Sequence, residues 1–234
     1  MAFVLVPAGE FAMGLSQGPG DVRPAPSHRV RLTRPFYLGR FEVTQAQWSQ
    51  VMDTNPSQLD ACGPDCPVES VSWNEVAAFL ERLSLLHPGE LFRLPSEAEW
   101  EYACRAGSRY RYGDADTLSP ELANYDSRIP FEGIEDTVFL GSTTPVGSYP
   151  QNQLGLHDMI GNVWEWTADV FCPYPGSSVV DPMGECDTDT IPIRGGSWYF
   201  SANAGRCGRR YTHARGDSGF SLGFRVVRDV PTGR

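Results

Sequence analysis

Apolar positions along this chain come in short bursts, and a turn signal closes each burst. Phe3, Val4, Leu5 and Val6 alternate loosely up to the Pro7-Ala8-Gly9 break, which predicts a strand, a turn and a further short strand through Phe11-Ala12-Met13-Gly14. Gln17 to Pro26 is rich in Gly and Pro and reads as loop. His28-Arg29-Val30-Arg31-Leu32 alternates as a strand, and Phe36 to Val43 reads as another. Thr44 is placed to cap a helix over Gln45–Met52 with Trp48 facing inward. Ser72-Trp73-Asn74-Glu75 is a capping box. It opens a helix whose apolar face is Val76, Phe79, Leu80 and Leu83, and Pro88-Gly89 stops it. Phe92-Arg93-Leu94 is a short strand. A second box, Ser96-Glu97-Ala98-Glu99, opens a helix through Trp100 to Cys104 that ends at Gly107. Residues 108–153 and the stretch from Pro173 to Asp189 carry no period, and Leu222 to Val227 reads as a closing strand.

Gly155 to Trp166 fits neither period. It places Trp164 and Trp166 among Asp158, Asn162 and Glu165, and ordinary surface loops are poor in Trp. A segment that is both Trp-rich and acidic must be buried, with its carboxylates satisfied by some partner, for which a metal ion is a candidate.

Composition narrows the picture. The 234 residues, 41% hydrophobic with Gly 24 and Pro 19, suit a loop-rich globular chain. No repeat and no Pro/Ser linker divides it, so residues 1–234 read as one domain. No apolar run approaches the ~18 residues of a membrane span. Met1 to Pro7 lacks the basic start of a signal peptide, which makes the expected location cytoplasmic if the chain is complete. A net charge of −10 argues against nucleic acid as the main partner. The charge is uneven: from Arg194 to Arg234 eight Arg face two Asp, and every cation in the chain is Arg.

Cys62, Cys66, Cys104, Cys172, Cys186 and Cys207 are even in number, which permits three disulfides without requiring them. Cys62-Gly-Pro-Asp-Cys66 reads as a small closed loop or as half of a zinc site. His28, His87, His157 and His213 read as structural histidines. The Arg206-Cys207-Gly208-Arg209-Arg210 cluster reads as an anion site or as partners for the surplus acids.

Several segments together carry a resemblance. They are Val6-Pro7-Ala8-Gly9-Glu10-Phe11-Ala12-Met13-Gly14, Phe41-Glu42-Val43-Thr44, Pro67 to Trp73, Arg93 to Ala103, Gly155 to Trp166, Arg194-Gly195-Gly196-Ser197-Trp198 and Leu222-Gly223-Phe224-Arg225. In this order they resemble the formylglycine-generating enzyme (sulfatase-modifying factor) family over nearly the whole chain. The resemblance implies an α+β fold with little regular secondary structure, a variant of the C-type lectin fold. It also implies structural calcium, with Asp158 and Glu165 supplying carboxylates and Gly161 and Val163 backbone carbonyls, hard oxygen ligands that suit Ca²⁺. A second implied site uses Asn124, the Tyr125 carbonyl and a downstream acid, for which Asp136 is the nearest candidate. Family members that make formylglycine carry two cysteines, five residues apart, that bind copper(I). Here those positions hold Phe200 and Gly205, so copper is not expected. Ser197 and Trp164 match the family's active-site floor and are expected to serve packing. Cys104 and Cys207 lie in segments the fold could bring together, as a disulfide or as a buried thiol pair.

The same family includes variable proteins of diversity-generating retroelements, whose varied segment omits Lys, Gln, Glu, Met and Trp. Tyr199 to Leu222 contains none of these five. The resemblance therefore implies a ligand-binding domain that displays Trp198, Tyr199, Phe200, Ser201, Asn203, Arg206, Arg209, Tyr211, His213, Arg215, Asp217 and Phe220 toward a protein or other macromolecular partner, alone or within a larger polypeptide. The alternative is an O₂-dependent oxidase of a peptide cysteine with a rearranged site.

Overall fold

The computed structural model describes residues 1–14, 26–129, 131 and 137–230. Strand β1 (Phe3–Val6) pairs antiparallel with β4 (Phe36–Gly39), and β4 pairs with β11 (Val227–Asp229), whose other edge carries β5 (Phe92–Arg93). The first and last strands thus share one sheet, in the order β1-β4-β11-β5. A second sheet runs β10 (Leu222–Gly223), β6 (Trp164–Trp166), β8 (Thr190–Arg194), β9 (Tyr211–Ala214), with β10 and β6 parallel. A third joins β2 (Gly9–Met13), β3 (His28–Leu32) and β7 (Val179–Val180). The architecture is α+β.

The three helices start where the capping boxes place them. In α1 (Gln45–Met52), α2 (Trp73–Leu86) and α3 (Glu97–Arg105), the hydroxyls of Thr44, Ser72 and Ser96 accept from the third helical N–H. Gln47, Glu75 and Glu99 reach back to the cap's own N–H. Two orphan donors are satisfied at each start, worth about 1 kcal/mol per cap. α1 and α2 lay Trp48 and Phe79 together as a stacked pair at 5.1 Å, and Phe224 meets both edge-on. That cluster continues into Trp164, Trp166, Ile191 and Ile193 of the second sheet.

Two strand boundaries differ from the pattern reading. β4 stops at Gly39 rather than Val43 because its partners change: Gly39 N–H bonds Val226 O, whereas Val43 N–H bonds Phe224 O and Val43 O accepts from Val68. The closing strand is likewise two pieces, β10 and β11, in different sheets. Phe224-Arg225-Val226 is the crossing between them, and a run of apolar alternation does not reveal a change of sheet. Among the described residues of 108–153 there are only isolated bridges, and the loop from Pro173 contributes β7 to the third sheet.

All six cysteines are paired: Cys62–Cys66, Cys104–Cys207 and Cys172–Cys186. The zinc and free-thiol alternatives for these residues therefore fall away.

Candidate functional site

The crossing segment brings Arg225 against the aperiodic stretch. Arg225 is fully buried and donates from all three of its nitrogens: Nε bonds Glu165 Oε2 at 2.7 Å, Nη2 bonds Glu165 Oε1 at 2.6 Å and the His157 carbonyl at 3.1 Å, and Nη1 bonds the Gly39 carbonyl at 3.0 Å. Trp100 Nε1 adds a third donor to the Glu165 carboxylate at 2.7 Å. Glu165, expected to offer a carboxylate to a metal, thus has a cation beside it already, and only its Oε1 keeps a spare lone pair.

Asp158 differs. Its φ is 54°, its Oδ2 accepts from the Gly147 N–H at 2.6 Å, and its Oδ1 is buried without a partner. Glu42 is close enough to feel its charge. Glu42 Oε1 accepts from Asn162 Nδ2 at 3.1 Å, while Oε2 is buried and unpartnered. Burial, then the Asp158 charge, pushes the Glu42 carboxyl well above the usual carboxylate range, against the pull of Arg225. Burial likewise raises Asp158. The orphaned oxygen of Asp158, with the Gly161 and Val163 carbonyls in the same turn, suits a hard cation. Sequence reasoning missed Glu42, although an acid inside the apolar run Phe41-Glu42-Val43 was the available signal.

Asn162 is the hub of the turn. Its N–H bonds the Asn124 carbonyl at 2.9 Å, and its Oδ1 accepts from Thr144 N–H at 3.0 Å. Gly161 sits at φ 80°, where an added Cβ would lie 2.3 Å from Asn124 O, so only glycine fits. Asn124 donates through Nδ2 to Ser142 O at 3.0 Å and leaves Oδ1 buried and unpaired. Tyr125 is buried beside it. Asp136 lies outside the described residues.

The Gly195-Gly196 turn docks on this hub: Gly161 N–H bonds Gly195 O, and Trp198 N–H bonds Asn162 O, each at 2.9 Å. From there the chain emerges as a chain of rings. Trp198 lies 5.3 Å from Tyr199 and 5.6 Å from Phe220. Tyr199 is 5.4 Å from Phe220 and 6.1 Å from Phe200, and Phe200 and Tyr211 both pack on Trp164, at 5.5 and 4.8 Å. Tyr199, Phe220 and Tyr211 expose 50%, 38% and 36% of their surface, and His213 and Asp217 are exposed beside them. Phe200, Ser201, Asn203, Arg209 and Arg215 are half-buried. Trp198 and Arg206, expected on the surface, are turned inward: Trp198 floors the ring cluster, and Arg206 holds the Asn203 side chain and carbonyl. The pattern reading missed Phe139, whose ring lies tilted against Trp198 at 5.8 Å with the Arg128 guanidinium 3.7 Å over it. The apolar triplet Val138-Phe139-Leu140 within a polar loop was the signal.

Phe200 and Gly205 stand where the resemblance expects copper ligands. The Phe200 ring lies against Trp164, and Gly205 is buried in the 3-10 turn Ala202–Gly205 with its N–H against Gly196. Neither offers a sulfur, and Cys207 is bonded to Cys104. The residues present do not fit copper.

Comparison with known proteins identifies the family and the fold. Residues 1–230 match the family described as Sulfatase-modifying factor enzyme 1-like domain. The formylglycine-generating enzyme of Streptomyces coelicolor is 32% identical, over 97% of this chain and 89% of its own. Among solved structures, Treponema denticola variable protein 1 superposes with a TM-score of 0.83 at 26% identity, covering 97% of this chain and 95% of that one. PvdO from Pseudomonas aeruginosa gives 0.79 at 28% identity, covering 97% and 94%.

Proposed function

We propose, from the premise that this chain belongs to the Sulfatase-modifying factor enzyme 1-like domain family, that it is a non-catalytic, ligand-binding member. In this reading the aromatic surface around Tyr199, Phe220 and Tyr211 is the binding face. The observation that carries it is where the sulfur goes: every cysteine is committed to a disulfide, so no thiolate remains to bind copper(I). Rigid exposed rings with Ser, Asn and Arg at their margins suit recognition, because they offer contact area at little conformational cost. The likeness to a protein titled a variable protein supports the same reading.

The test has two arms. Anaerobic copper(I) titration and incubation with a sulfatase-motif cysteine peptide should give neither stoichiometric copper nor an aldehyde product. Either result would sink the non-catalytic reading. In the second arm, peptides selected from a displayed random library on the wild-type domain should lose binding to Tyr199→Ser and Phe220→Ser variants of unchanged melting temperature.

Calcium belongs to the same proposal as a structural ion. Asp158 with the carbonyls of Gly161 and Val163 would hold one ion, and Asn124 with the Tyr125 carbonyl a second. The orphaned Asp158 Oδ1 and Asn124 Oδ1 support this. Such an ion supplies only charge compensation for buried oxygens. Excess chelator should lower the melting temperature and added calcium restore it. An unchanged melting curve would remove the ions from the proposal.

A further inference from the structure

One cavity carries chemistry that the aromatic surface does not use. It is about 610 Å³ in volume and lies between the start of α3, the facing ends of β2 and β3, and the loop tied by Cys172–Cys186. That volume suits a small organic ligand. Met13, Val179 and Met183 supply apolar wall, and Glu97, Asp169, Tyr174 and Arg210 supply the polar groups.

Asp169 is the anomaly. It is 5% exposed, its Oδ2 accepts from Glu97 N–H at 2.5 Å, and its Oδ1 accepts from Gly184 N–H at 2.8 Å. Among the described residues no cation pairs with it. Arg210, the guanidinium on the cavity wall, is bidentate to Glu97 at 2.6 and 2.7 Å and sandwiched between the Phe171 and Tyr174 rings at 4.2 and 4.0 Å. Arg194, behind it, is bound to Glu101. The Tyr174 hydroxyl is buried and has no partner. Asp181 and Glu185 add negative charge to the lining, and His28, the remaining titratable group on the wall, lies 4.8 Å from the Tyr174 ring. A buried carboxylate without a counter-ion and an unpaired hydroxyl are both costly, and both are relieved by one donor-rich cation.

The donor geometry narrows the cation. Each Asp169 oxygen already carries one backbone donor, which leaves single lone pairs rather than the open fork a guanidinium matches. A hard metal ion needs about six or more oxygens, and Asp169 is the one buried carboxylate without a cation on this lining. An ammonium is a compact point charge with three donors, and the apolar wall suits an alkyl stem. No side chain of this protein can supply it, since every one of its 19 Lys+Arg cations is Arg.

We propose that this cavity binds a primary alkylammonium group, with the ammonium between Asp169 and Tyr174 and the alkyl stem along Met13, Val179 and Met183. The group could come from a free amine or from a lysine side chain of another protein. Calorimetric titration of the full chain with n-pentylamine, Nα-acetyl-lysinamide and 1-pentanol tests this. At least one amine should bind saturably and the isosteric alcohol should not. Tighter binding of pentylamine assigns a free amine, and tighter binding of the lysinamide a peptide lysine. Asp169→Asn should weaken the amine by roughly tenfold or more, the loss of a buried charge partner. Tyr174→Phe should weaken it with little change in melting temperature, which decides the matter if Asp169→Asn does not fold. Equal binding of pentanol, unchanged affinity in Tyr174→Phe, absence of saturable amine binding, or competition by millimolar calcium would each overturn the proposal.

Discussion

Asp169 shows how a single side chain sets a measurable property of the fold. Burial first, and the nearby Glu97 charge second, raise its carboxyl from 3.8 to about 6, even though the N–H groups of Glu97 and Gly184 oppose the shift. The folded state therefore holds this proton more tightly than the unfolded chain does. Stability contributed here is present below pH 4 and is lost as pH rises from about 4 to about 6, by on the order of 3 kcal/mol. Urea unfolding at pH 4.5 and 7.5 should show that loss partly removed in Asp169→Asn. The slopes are the quantity to compare, since the amide forfeits one of the two backbone donors. An identical pH slope in wild type and variant would refute the assignment. Arg225 makes the opposite kind of prediction. Arg225→Met strands Glu165 in the interior beside Glu42 and Asp158, and breaking such a pair costs about 3–5 kcal/mol. Denaturant unfolding should register that cost, and a stability within 1 kcal/mol of wild type, the size of a surface ion-pair effect, would show that Glu165 had found another partner. Glu101 shows why the partner matters. Burial pushes its carboxyl up, but Arg194 and Arg105 more than offset that and hold it below the usual range.

At the scale of elements, the helix starts were legible because capping is local chemistry. Ser72 with Glu75 and Ser96 with Glu99 name their own hydrogen bonds within four residues. Ser72→Ala and Ser96→Ala should each cost about 1 kcal/mol in thermal or denaturant unfolding, and no loss at either position would mean that the cap's donors are met elsewhere. The strands were less legible. Nothing in Leu222 to Val227 announces that Arg225 lies between two sheets, since the partners, Val43, Gly39 and Glu165, are distant in sequence. The same distance hid the candidate sites. The turn from Asp158 to Glu165 was recognisable from its Trp and acid content, but its hydrogen-bonding partners come from residues 42, 100, 124 and 225. The proposed binding surface was legible as a segment and not as a face: Tyr199 and Phe220 point out, Trp198 and Arg206 point in, and Phe139 joins from a loop without periodicity.

For the whole molecule, the scarcity of regular structure raises the question of what holds long loops in place, and the disulfides answer part of it. Cys104–Cys207 ties α3 to the segment between the 3-10 turn and β9 across a sequence separation of 103, whereas Cys172–Cys186 spans 14 and Cys62–Cys66 spans 4. If cross-links act mainly by restricting the unfolded chain, the stabilisation should rank with loop length, at about 5, 3 and 2 kcal/mol respectively. The longest bridge also sits in the core formed by Trp100, Leu156 and Met159, directly behind the turn that carries Asp158. Its loss should therefore loosen the candidate calcium position as well as the fold. Three double Cys→Ala variants separate the contributions. Unfolding free energies should fall most for Cys104/Cys207 and least for Cys62/Cys66, and protection by added calcium should shrink only in the first. A flat ranking would mean that native packing, not loop closure, governs these bridges. A calcium response left intact in the Cys104/Cys207 variant would mean that the turn around Asn162 holds its shape without the covalent tie behind it.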